Sequence, residues 1–121
     1  MLKIIHNPDN KSIDEFNDIL KSAIYYYKGL GNFYGVILDN NYTAHGIESC
    51  RNIILCKIHL NNKIITIPNI YDDVIELEKP INEKDKVSYL LDSIIPEWNN
   101  ATLSNDYNNN TDIILCYYVF D

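Results

Sequence analysis

The chain predicts an α+β fold, an antiparallel or mixed sheet of about five strands that includes a β-hairpin, together with two helices. Three observations predict it. Two segments place apolar residues at three- and four-residue spacing, the mark of a helix with one buried stripe. Several short runs rich in isoleucine, tyrosine and valine lie between turn formers, the mark of strands. Two of those runs are separated only by Asn61-Asn62. Asparagine tolerates the positive φ angles of a tight hairpin turn.

The first run, Leu2 to His6, reads as a strand that ends where Asn7, Pro8 and Asp9 supply a turn. Ser12 and Glu15 then match a capping box, each side chain satisfying an orphan backbone donor at a helix start. Asp14, Glu15 and Asp18 suit the positive end of the helix dipole, Lys28 the other end, and Gly29 a stop. Ile13, Phe16, Leu20, Ala23, Ile24 and Tyr27 form the buried stripe of this first helix.

Asn32 to Asp39 reads as a strand, and Asp39 to Arg51, DNNYTAHGIESCR, as a polar loop. The hairpin follows, over NIILCKIHLNNKIITIPN. YDDVIELEKP adds at most a short edge strand before Pro80. Asn82 can cap a second helix with Val87, Leu90, Leu91 and Ile94 on one face and its end at Pro96. The stretch WNNATLSNDYNNNTD reads as a surface loop. Asp112 to Phe120 is apolar almost without interruption, so it is expected as a strand that is central or packed on both faces. One sheet face covering both helices is the economical arrangement; the alternative is a smaller sheet with a helix on each face.

A length of 121 residues, 46% hydrophobic and 22% charged, with no internal repeat and no linker, predicts one globular domain over 1–121. No apolar run reaches the roughly 18 residues that span a bilayer, and no export signal is legible, so an intracellular, cytoplasmic protein with no membrane partner is expected. Three cysteines are an odd number for a disulfide framework. Cys56 and Cys116 sit in apolar runs and are expected as buried thiols, leaving Cys50 as the exposed one. The net charge of −7 and the scattered basic residues disfavour direct nucleic-acid binding and suit a basic protein partner. Abundant Asn, Ile and Tyr with a single arginine are what an AT-rich genome encodes, that of a low-GC bacterium, a phage or another mobile element.

The loop offers His45, Glu48 and Cys50 as catalytic candidates. Imidazole can draw a thiol proton, yet no family-specific cysteine signature surrounds Cys50. As metal ligands the same residues lack a recognised spacing, and Cys56 with His59 is a lone C-x-x-H whose side chains alternate across a strand. No metal or cofactor is expected. GLGNFYG lacks both phosphate-loop patterns and follows a helix rather than opening one.

Tyrosines carry more information. Tyr25, Tyr26 and Tyr27 are consecutive, and at about 100° per residue they cannot all face a core. With Phe33, Tyr34 and Tyr42 they suit a recognition surface, because a tyrosine combines contact area with a polar tip. Arg51 can clamp an anion, and Asp72 and Asp73 add acidic character. These features favour a small acidic inhibitor, of immunity or anti-defence type, that occludes a protein partner. The alternative is a protein, with a homo-oligomer compatible, that sequesters a nucleotide-like anion between Arg51 and aromatic rings. A third reading is a small enzyme using the 39–51 loop.

Overall fold

The computed structural model describes residues 1–49, 54–60, 63–68, 83–103 and 112–121. Its strands are β1 (Leu2–Ile4), β2 (Phe33–Asp39), β3 (Ala44–Ser49), β4 (Ile54–Leu60), β5 (Lys63–Pro68) and β6 (Ile114–Val119). The helices are α1 (Ile13–Leu30) and α2 (Glu83–Leu103). The strands form one six-stranded sheet in the order β1-β6-β2-β3-β4-β5, and every neighbouring pair is antiparallel. The α+β class holds, with six strands rather than about five.

The sixth strand is β3, which falls inside the segment read as a loop. AHGIES has weak strand propensity, but its backbone is claimed on both sides, by β2 through Ile37↔His45 and by β4 through Ile47↔Ile58. Only Asn40 to Thr43 remains as the connection between β2 and β3. The Asn61-Asn62 turn, Asn82 and the YDDVIELEKP stretch, with Asp72 and Asp73, lie outside the described residues, as do Cys50 and Arg51. The β4–β5 hairpin register itself runs from Leu60↔Lys63 to Ile54↔Pro68.

Helix α1 begins as its sequence directs. The Ser12 hydroxyl accepts from the Glu15 backbone N–H at 3.2 Å, and the Glu15 carboxylate accepts from the Ser12 N–H at 3.3 Å. It ends at Gly31, whose φ of 81° is the left-handed geometry of a helix stop. Phe16 and Leu20 are fully buried, each contributing roughly 1.5–3 kcal/mol. Ile13, expected in the stripe, is instead 62% exposed at the first position of the helix.

Helix α2 runs seven residues past Pro96 to Leu103, correcting the expected end. Its far half is anchored to the start of β6. The Asn99 side chain donates to the Ile114 carbonyl at 2.8 Å and accepts from the Ile114 N–H at 3.0 Å, while Trp98 Nε1 donates to the Asp112 carbonyl at 3.0 Å. These contacts, with buried Ile95, offset the roughly 3 kcal/mol that an interior proline costs a helix.

The two helices lie on opposite faces of the sheet, not together on one. On the α2 face, Ile37, Ile47, Ile58, Ile65, Ile67 and Tyr117 pack with Val87, Leu91 and Ile95. On the α1 face, Val36, Leu38, Leu115, Cys116 and Phe120 pack with Phe16 and Leu20. Strand β6 lies between β1 and β2 and is packed on both faces, as its continuous apolar run predicts. A bulge between Leu38↔Cys116 and Asp39↔Ile114 inserts Leu115 and lets two successive residues reach the α1 side. Burial pushes the Cys116 thiol up to about 12, so it behaves as a small hydrophobe. Among the described residues no helix is long and apolar enough to cross a membrane.

Candidate functional site

The β2–β3 turn is organised by Asp39, which is 1% exposed. Its Oδ1 accepts the backbone N–H groups of Asn41 and Thr43, both at 2.9 Å, and its Oδ2 lies 2.8 Å from His45 Nε2. An aspartate bonding to the backbone two residues on is the expected turn initiator. Tyr42 takes the left-handed position at φ 60° and its hydroxyl donates to Asp9, while the Lys11 ammonium lies 4.9 Å from its ring centre. That bond to Asp9 pushes the phenol up to about 12.

His45 and Glu48 are not brought together. Three residues apart on β3, they project to opposite faces. His45 shares the α2 face with Ile37, whereas Glu48 pairs with Phe33 on the α1 face and lies 3.1 Å from His59 Nε2. The result is two separate carboxylate–imidazole pairs, one largely buried and one exposed. Among the described residues no third His, Cys, Asp or Glu joins either pair in a metal-holding group. The buried pair orients an imidazole, as a catalytic or ligating histidine requires.

The aromatic candidates divide. Tyr25 is 85% and Tyr26 61% exposed, although both stand on a regular helix. Tyr26 meets Tyr27 edge-on at 5.1 Å between ring centres, and Tyr27 meets Phe33 at 4.8 Å. Gly46 on β3 lets both inner rings lie against the sheet. Tyr25, Tyr26 and Phe33 therefore belong to one surface that descends from α1 onto β2 and β3. Tyr34 packs on the α2 side and Tyr42 is engaged at the far turn, so neither joins it.

Next to this ridge lies a part of the sheet's α1 face that the sequence pattern does not mark, because β3 has the composition of a loop. Glu48, Lys57 and Thr66 are neighbours across β3, β4 and β5, followed by His59 and Ile64. Ile64 is 59% exposed. On the opposite side, an open cleft of about 530 Å³ lies between the first turns of α2 and the end of β6, lined by Lys84, Asp85, Tyr89, Asp92 and Phe120 among others. Asp92 accepts the hydroxyl of fully buried Tyr117, whose ionisation is pushed up by burial and then by this bond. Comparison with models of known protein families, with curated proteins and with solved structures finds no match for this chain.

Proposed function

We propose that the protein is a small acidic inhibitor, of immunity or anti-defence type, that acts in the cytoplasm by covering a surface of a protein partner. The observation that supports this reading is the pair of rings at Tyr25 and Tyr26, 85% and 61% exposed on a capped helix. Neither ring is needed to fill the α1-side core, which Phe16 and Leu20 already close. Large aromatic side chains held outward on a rigid element serve as interface anchors. Their support is firm, since Tyr26 rests on Tyr27 and Tyr27 on Phe33.

Charge gives the preferred partner. The chain carries −7, and the outward surface of the first turns of α1 holds Asp14, Glu15 and Asp18. A basic partner would be steered toward it and then anchored by the tyrosines, with occlusion following from simple overlap. The test is capture of partner by the wild-type protein and by Tyr25→Ala/Tyr26→Ala at equal melting temperature. Loss of a hot-spot pair predicts at least about a 30-fold weaker interaction. Equal capture by both proteins would remove the tyrosines from the interface.

A further inference from the structure

We propose that the α1 face of the sheet is a self-complementary surface, and that its occupant in the absence of another partner is a second copy of this chain. The face has the form of a step. Helix α1 packs over β2 and touches β3, while the β4–β5 side of the same face carries the exposed side chains His59, Ile64 and Thr66. Strands are spaced about 4.8 Å apart, so a strip of two to three strands is about 10–14 Å wide, the diameter of one helix. Ridge and strip therefore match in width.

Exposed apolar side chains concentrate on this step. Of the seven large ones that the described residues expose, Ile13, Tyr25, Tyr26 and Leu30 lie on α1 and Ile64 on the strip, leaving only Met1 and Tyr89 elsewhere. At about 100° per residue Tyr25, Tyr26 and Leu30 fall within about 140° of one another around α1, with Ile13 outside that arc, and apolar groups so gathered mark an interaction surface. Helix α1, of 18 residues, is about 27 Å long and about 10 Å wide, and the strip, of six- and seven-residue strands, is about 20–23 Å long, so ridge plus strip cover about 500 Å² on each copy. Two copies would bury about 1,000 Å², the lower limit for a specific interface.

Symmetry fixes how they meet. A two-fold axis lying between the sheets and parallel to α1 carries each ridge onto the other copy's strip, whereas an axis across α1 would set ridge on ridge. The two α1 helices then lie side by side and parallel. Tyr27 stands over Phe33, whose level continues across the sheet through Glu48, Lys57 and Thr66, with His59 and Ile64 one step on. Tyr25 and Tyr26 of the second copy thus reach the strip at Lys57, His59 and Ile64. Ring faces over the Lys57 ammonium and the Ile64 side chain are favourable contacts.

Light scattering after size exclusion, over about 1–200 μM, tests the proposal. The wild-type protein is expected at twice the 14.1 kDa chain mass in the upper part of that range. Ile64→Asp on the strip and Tyr26→Asp on the ridge should each raise the dimer dissociation constant at least about 30-fold with melting temperature unchanged. Tyr89→Asp, off the step, should leave it unaltered. A wild-type protein that stays at 14.1 kDa throughout, or a dimer that survives both step variants, overturns the proposal. Because Ile64 lies outside the tyrosine ridge, Ile64→Asp also separates the two readings: it breaks self-association yet leaves capture of a foreign partner intact.

Discussion

Gly46→Ala probes the support of the candidate surface directly. A Cβ at this position would lie 2.4 Å from Phe33 Cε1, 2.6 Å from Phe33 Cδ1 and 2.7 Å from Tyr27 Cε1. Carbon atoms not bonded to one another rest at about 3.5–4.0 Å, so both rings must withdraw by about 1 Å. They cannot do so freely, since Phe33 and Tyr27 are half-buried and pack on the cluster around Phe16 and Leu20. Overpacking of this kind costs about 1–3 kcal/mol. For a domain of this size that is a fall in melting temperature of roughly 4–12 °C. Gly29→Ala is the matched control, because a Cβ there meets nothing within 4 Å and the helix gains up to about 1 kcal/mol. Scanning calorimetry of both variants should move the two melting temperatures in opposite directions. A Gly46→Ala protein as stable as the wild type would refute the view that the rings are seated on the β3 backbone.

Two further predictions concern polar contacts. Asp39→Ala should cost about 2–4 kcal/mol in urea unfolding, because the carboxylate holds two backbone N–H groups and His45. His45→Ala should cost less, since the carboxylate keeps both N–H partners; the reverse order would contradict the assignment of Asp39 as the organiser of the turn. Tyr42 should titrate near 12 in difference absorbance against Tyr42→Phe, and Asp9→Asn should return it toward 10. The folded value lies above the unfolded one, so the Tyr42–Asp9 contact contributes below pH 10 and is lost as pH rises from 10 to about 12.

Much of the fold was legible because it rests on local signals. The Ser12/Glu15 box, the stripe of α1 from Phe16 to Tyr27 and the apolar run of β6 appear where periodicity and capping place them. What escaped reading depends on partners distant in sequence. Strand β3 contains His45, Gly46, Glu48 and Ser49, poor strand formers, and is a strand only because β2 and β4 flank it. The continuation of α2 through Pro96 relies on Asn99 meeting Ile114 across 15 positions. Placing a helix on each face follows from both faces of β2 and β6 being apolar, as in Val36, Ile37 and Leu38, a pattern that marks two-sided burial in retrospect.

The candidate site shows the same division. Exposure at Tyr25 and Tyr26 follows from three consecutive tyrosines on a helix, whereas their neighbours Lys57, His59 and Ile64 became visible only once β3 was recognised as the strand that joins β2 to β4. The separation of His45 from Glu48 rests on the same recognition. In a loop they could converge, but in a strand three positions put them on opposite faces.

A photo-crosslinking amino acid placed at Tyr26 shows whether the tyrosines of α1 meet a partner, with Tyr89 as the exposed control on α2. Covalent products are expected at position 26 and none at position 89. A product of twice the chain mass identifies the second copy, and any other mass identifies the foreign partner. Crosslinking at 89 with none at 26, or no product at either position, would contradict the assignment of α1 and its tyrosines as the surface through which this protein acts.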